Sequence, residues 1–168
     1  MFHSDDPVAG RMMAVSKALS GGPVYLSDNP KKFAADLIKP LAFSTGELIT
    51  VMAPGAPLPE SLFIDPLDEP KPFRAIAPLP NQAAAVVVYN LTEPERTVTG
   101  YVAPEDYRQA TVMAQPGNEH WQASEGLILY DWYEKRAIPL STRYSFEMAK
   151  LSSATVCSSC APCAMDGL

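Results

Sequence analysis

Proline occupies 17 of the 168 positions, and that density limits the fold more than any other feature. Each proline removes a backbone donor and pushes the preceding residue out of helical geometry. Usage is about twice the protein average, so the chain is expected to build many short strands and turns rather than long helices. The length fits one domain, or one domain plus a piece of another. Hydrophobic residues make up 47% and charged residues 19%, a globular balance. Thirteen Lys and Arg against 19 Asp and Glu give a net charge of −6. The densest basic stretches are only Lys31-Lys32 and Lys135-Arg136, so no footprint for nucleic acid or an anionic membrane is expected. No apolar run reaches the ~20 residues that span a bilayer. The acidic start, Ser4-Asp5-Asp6, lacks the apolar stretch of a secretory signal, which predicts a cytoplasmic location.

Along the chain the texture changes once. Asp6-Pro7 reads as a helix cap with Pro at the first helical position, and Val8, Met12, Val15 and Leu19 recur at helical spacing, so a helix is expected over 7–19. Ser20-Gly21-Gly22 would stop it, with Gly supplying the left-handed cap. Val24-Tyr25-Leu26 reads as a short strand, and Asn29-Pro30 as the start of a second helix that Pro40 ends. Beyond a boundary near 40–47 the pattern becomes strand after strand: 48–52, 62–64, 74–77, 84–89, 97–102, 111–114, 127–133 and 144–148. Such spacing with Pro- and Gly-rich breaks points to an antiparallel sandwich or barrel. Ala83 to Val88 is apolar at every position, as a strand covered on both faces would be. Thr97 to Val102 alternates, predicting one wet face.

Candidate chemistry is sparse. Ser4-Asp5-Asp6 and Ser27-Asp28 stand beside expected helix starts, where capping and turn formation are the plain reading and a ligand site the sharper one. Ser27-Asp28 also follows a strand, where α/β proteins place functional groups. His120-Trp121 reads as a loop. Asp131-Trp132-Tyr133 offers aromatics that either cover a core or stack on a sugar. Asn90-Leu91-Thr92 matches a glycosylation sequon, a short motif often met by chance. Cys157, Cys160 and Cys163 have the spacing of a metal-ligand run but lack a fourth ligand nearby. No phosphate loop, nucleophile triad or metal cluster is complete, so no cofactor and no metal are expected.

One stretch is more specific. Met1-Phe2-His3-Ser4-Asp5-Asp6-Pro7 followed by Ser20-Gly21-Gly22-Pro23-Val24-Tyr25-Leu26-Ser27-Asp28 resembles the raffinose synthase and seed-imbibition group of glycoside hydrolase family 36, relatives of the α-galactosidases. Leu62-Phe63-Ile64-Asp65-Pro66-Leu67 and Val88-Tyr89-Asn90 match further family segments in order, carrying the resemblance to about residue 150. It implies a mostly β chain in which a C-terminal antiparallel β-sandwich follows the last α/β segment of a (β/α)₈ barrel. Residues 1–44 would be the barrel end, with helix 7–19, final barrel strand 23–28 and helix 30–39, and 45–152 would be the sandwich. It also implies that the two catalytic carboxylates of a retaining enzyme lie upstream, so that no catalytic residue is assigned in this chain, which is expected to be inactive alone. Ser4 and Asp28 are the substrate-binding candidates that the resemblance carries over, at the mouth of the site. His is common at position 6 in the family, where this chain has Asp.

The function expected on this resemblance is that of a C-terminal fragment of an α-galactoside-processing hydrolase or galactosyltransferase, with a carbohydrate as partner. The alternative is a non-catalytic sandwich module that binds carbohydrate or a protein. From residue 153 the text departs from the family and becomes an aberrant Cys-rich tail, 153–168. GC-rich codons read two nucleotides later would encode a strand and charged turn of the expected kind, so a frameshift near residue 152 would account for it.

Overall fold

The computed structural model describes residues 3–6, 9–93, 96–114, 121, 123, 126–149 and 153–159. Three short helices and eight strands follow in chain order. They are α1 (Gly10–Leu19), α2 (Ala35–Ile38), β1 (Ala56–Pro57), β2 (Phe73–Leu79), β3 (Ala83–Tyr89), β4 (Val98–Val102), α3 (Asp106–Ala114), β5 (Ile128–Asp131), β6 (Arg136–Pro139), β7 (Tyr144–Met148) and β8 (Ser153–Ser159). Among the described residues all strand pairs are antiparallel. One sheet runs β1-β2-β3-β8-β5-β6, and β4 pairs with β7 in a separate ribbon. The chain is therefore mostly β, as the proline density and strand spacing predict.

β3 organises the interior because its sequence has no polar face. Ala84, Val86 and Val88 pack with Leu58, Ile76, Leu129, and with Val102 and Met148 of the ribbon. Ala85, Val87 and Tyr89 face the other way and pack with Val15 and Leu19 of α1. Each valine buried this way stabilises the fold by about 1.5–3 kcal/mol. The apolar stripe of α1 is thus covered by the sheet, and the Ser16 hydroxyl adds a 2.9 Å hydrogen bond to the Tyr89 hydroxyl. In β4 the alternation also holds: Val98, Gly100 and Val102 are buried while Thr99 is exposed. Gly100 is required there, since a Cβ would lie 2.7 Å from both Phe146 and Met148 on the paired strand.

Several expected elements take another form. The first helix begins at Gly10, with Ala9 as its cap, rather than at residue 7; Pro7 and Val8 lie outside the described residues. Asp6 still serves the approach, its Oδ1 accepting the Ala9 amide at 2.8 Å and its carbonyl the Gly10 amide. Gly21 does take the left-handed conformation, at φ +67°. Residues 23–28 form no strand: they carry one bridge residue, Leu26, and a bend at Asp28, whereas a strand requires a row of backbone partners. Asn29-Pro30 opens a turn, not a helix: Asn29 holds the Lys31 and Lys32 amides with its side chain and carbonyl. Helix 30–39 shrinks to α2, and Pro40 sits inside a 3-10 turn, Lys39–Leu41, where its missing donor is tolerated.

Three expected strands are also replaced. Residues 48–52 contribute a single bridge, Ala42 to Leu48. Of residues 62–64, Leu62 and Phe63 end a 3-10 turn, Pro59–Phe63, opened by Pro59, and Ile64 caps it. Residues 111–114 end α3, whose first turn carries Asp106 and whose buried face is Asp106, Tyr107, Ala110 and Thr111. The β-branched Thr111 and Val112 read as strand formers, but helical packing of Tyr107 and Ala110 into the core overrides that preference. Conversely, β6 is absent from the expected strands, and so is β8. The latter lies between β3 and β5, with Cys157 opposite Ala85 on one side and Tyr130 on the other. Cys160 and Cys163 are outside the described residues.

Candidate functional site

Ser4 and Asp28, 24 residues apart, meet directly. The Ser4 amide donates to Asp28 Oδ1 at 2.8 Å, and the Ser4 hydroxyl donates to Asp28 Oδ2. The same hydroxyl accepts the Ala34 amide at 2.8 Å. Ser4 is 2% exposed and the Asp28 side chain 3% exposed. One serine thus ties the approach to α1, the Ser27-Asp28 turn and the approach to α2 into one buried brace. Two charge-assisted bonds offset the cost of burying the carboxylate.

The sequence prepares this geometry locally. Asn29-Pro30 turns the chain so that Ala34 returns toward Ser4. Gly10 lets α1 start beneath the brace: a Cβ there would lie 3.0 Å from the Ser4 carbonyl, 3.1 Å from Leu37 and 3.3 Å from the His3 carbonyl. Leu41 and Ala14 close the small apolar cluster under α2.

Polar groups that face outward surround the brace. The His3 side chain is 53% exposed, with Nδ1 3.9 Å from Asp28 Oδ1 and Nε2 3.4 Å from the Ser27 hydroxyl. Ligand atoms of His3, Asp5 and Asp28 all lie within 4.8 Å of one another. That closeness invites two readings. Two carboxylates about 5 Å apart are the signature of a retaining glycosidase. Asp28, however, is buried and both its oxygens accept hydrogen bonds from Ser4, so it cannot approach an anomeric carbon. For the same reason the group falls short of a metal centre, because His3 and Asp5 alone are fewer ligands than a closed tetrahedral site needs. This grouping is invisible in the sequence, where His3 and Asp5 stand far from Asp28.

The remaining sequence candidates separate from this region. Asn90 is fully buried; its amide group donates to the carbonyls of Arg96 and Met148 and its oxygen accepts from Thr92, so the sequon is a structural turn. Asp131 Oδ1 accepts the amides of Tyr133 and Glu134. Trp132 and Tyr133 line an apolar groove with Val15, Leu19 and Val51, and Arg11 stacks on Tyr133 at 3.3 Å. They cover the α1 face. His120 lies outside the described residues.

A buried cluster that the sequence does not announce centres on Arg74. It is 1% exposed, bonds Asp106 Oδ2 at 2.7 Å and Glu60 Oε2 at 3.1 Å, and lies 3.9 Å from the Tyr101 ring centre. Asp106 Oδ2 also accepts the Ala103 amide at 2.9 Å. Burial pushes the Asp106 carboxyl above its usual range, against the pull of the Ala103 amide and Arg74. With Arg74 buried and bonded to Asp106 and Glu60, the cluster joins β2, β4 and α3 rather than presenting a charge.

A family described as raffinose synthase or seed imbibition protein Sip1 matches residues 1–132. A curated relative, probable galactinol–sucrose galactosyltransferase 6 of Arabidopsis thaliana, is 34% identical over 90 residues, 54% of this chain and 12% of that protein. Galactinol–sucrose galactosyltransferase of Pisum sativum is 31% identical over 121 residues, 63% of this chain and 15% of that protein. The chain thus spans only 12–15% of the length of these relatives. Among solved structures, the α-galactosidase of Saccharomyces cerevisiae with raffinose is similar with a TM-score of 0.61 at 9% identity, covering 90% of this chain and 43% of that one. α-Galactosidase I of Mortierella vinacea is similar with a TM-score of 0.56 at 11% identity, covering 91% and 36%. At these identities the likeness is one of fold.

Proposed function

The chain belongs to the raffinose synthase and seed imbibition protein family, and from that premise we propose that it is the C-terminal portion of an α-galactoside-processing hydrolase or galactosyltransferase, without activity of its own. The observation that carries this reading is the family match over residues 1–132, which runs through both the helical lead-in and the first half of the sheet. The named relatives are galactosyltransferases, and the fold is like that of α-galactosidases, which supports a galactoside as the substrate of the whole protein. Residues 1–44 are read as the end of a (β/α)₈ barrel and 45–152 as a β-sandwich that follows it, with 153–168 as a departure from the family pattern. Ser4 and Asp28 belong to the shell of the sugar site.

The chemistry fits a supporting rather than a catalytic part. A retaining mechanism needs one carboxylate as nucleophile and another as acid and base. Asp28 is held by Ser4 and buried, which leaves Asp5 as the remaining exposed carboxylate of the group. The catalytic pair is therefore assigned to barrel strands that precede this segment in the parent protein. Reading the DNA upstream of Met1 tests this. A coding frame for alternating strands and helices, intact or interrupted, is the expected result. An upstream region with no such coding capacity overturns the reading.

A further inference from the structure

Resting on the proposed sugar site, we infer that His3, with Asp5 and Ser27, forms its hydroxyl-contacting surface here, while Ser4 and Asp28 act only as positioning residues behind it. The two sequence candidates are turned inward. The Ser4 hydroxyl donates to Asp28 and accepts from Ala34, both Asp28 oxygens accept from Ser4, and both side chains are out of contact with solvent. Their neighbours stand nearer the solvent. His3 and Asp5 are exposed and Ser27 is half-buried. An imidazole, a carboxylate and a hydroxyl then stand together, with the His3 ring 3.4 Å from the Ser27 hydroxyl and its atoms within 4.8 Å of those of Asp5.

This set matches what a sugar ring presents. Adjacent ring hydroxyls each donate and accept. A carboxylate accepts from two of them, a hydroxyl does both, and imidazole supplies whichever role is missing. Sites built to bond substrate hydroxyls discriminate strongly, because polar groups left unpaired are costly. The brace supplies the rigidity such a site needs, since His3 and Ser27 are the chain neighbours of Ser4 and Asp28. Gly10 leaves room for the same unit, since a Cβ there would crowd the His3 and Ser4 carbonyls.

The test is a titration of the full 168-residue chain with methyl α-D-galactopyranoside, followed by NMR. Saturable shifts are expected at the His3 ring and at the amides of Asp5 and Ser27. His3→Ala and Asp5→Asn, both at exposed positions, are each expected to weaken binding about tenfold, the loss of a hydrogen bond to a polar partner. Ser4→Ala is expected to weaken it too and to move the His3 ring resonances in the absence of sugar, and Ser4→Thr to restore both. Saturable binding that survives His3→Ala and Asp5→Asn overturns this assignment while leaving the sugar-site reading intact. No saturable shift in the wild-type chain overturns the sugar site at this end of the molecule, and the assignment with it.

Discussion

Ser4 and Asp28 hold each other twice, amide to Oδ1 at 2.8 Å and hydroxyl to Oδ2, and so close a 24-residue loop that contains α1. Hydrogen bonds to a charged group contribute about 1.5–3 kcal/mol each, and removing one partner strands the other. Ser4→Ala leaves a buried carboxylate short of a donor and the Ala34 amide without its acceptor. It is expected to cost about 2–3 kcal/mol in urea unfolding. An unchanged midpoint would mean that the brace contributes nothing to the fold.

The Arg74–Asp106 pair gives a pH prediction. Burial raises the Asp106 carboxyl above its ordinary 3.8. A carboxyl whose folded value is raised contributes stability that is complete below 3.8 and is lost as pH rises through the folded value. Asp106→Asn removes that titration. The stability of wild type relative to Asp106→Asn is therefore expected to fall as pH rises from 3.8 upward. Comparing the two proteins at each pH cancels other groups, including the exposed Glu69, which Lys71 shifts the opposite way. A difference that grows with pH would contradict the assignment.

The β2–β3 hairpin turn carries Asn81 at φ 59° and Gln82 at φ 57°. Asn tolerates the left-handed region better than Gln does. The Tyr107 hydroxyl, which donates to the Gln82 carbonyl at 2.7 Å, holds the turn in place. Gln82→Gly relieves a penalty of about 1–2 kcal/mol and adds about 0.5–1 kcal/mol of chain entropy to lose, so a net gain of roughly 0.5 kcal/mol is expected in thermal unfolding. A lower Tm would show that the Gln side chain matters more than its backbone.

β8 is the strand that connects β3 to β5. Ending the chain at residue 152 would bare an edge on each of those strands and detach the β5–β6 hairpin from the sheet. The truncated chain is expected to aggregate or to bind a hydrophobic dye strongly. A monomer with an unchanged Tm would mean that the tail is not part of the sheet.

What the sequence revealed follows the physics of each segment. β3 is legible because the six apolar residues from Ala83 to Val88 admit only burial on both faces, and the structure covers it with α1 on one side and the ribbon on the other. β7 and β2 are legible for similar reasons of pattern. The lead-in is less so: cap and proline signatures at Asp6 and Asn29 mark turns as readily as helices, and here Asn29 makes a turn. Thr111 and Val112 point to a strand until the core contacts of Tyr107 and Ala110 are known. Ser4 and Asp28 stand out through the family resemblance, yet burial cannot be read from single polar letters. That His3 would stand as an exposed member of the group depends on a tertiary contact across 24 residues, as does the Arg74 cluster across the 32 residues to Asp106.

The most direct measurement is hydrolysis of an aryl α-galactoside by the purified 168-residue chain and by its Asp28→Asn variant. If Asp28 is a structural carboxylate and the catalytic pair lies elsewhere in the parent protein, neither protein turns over substrate above the buffer rate. Turnover by the wild-type chain that Asp28→Asn abolishes would contradict that account and make Asp28 a catalytic residue.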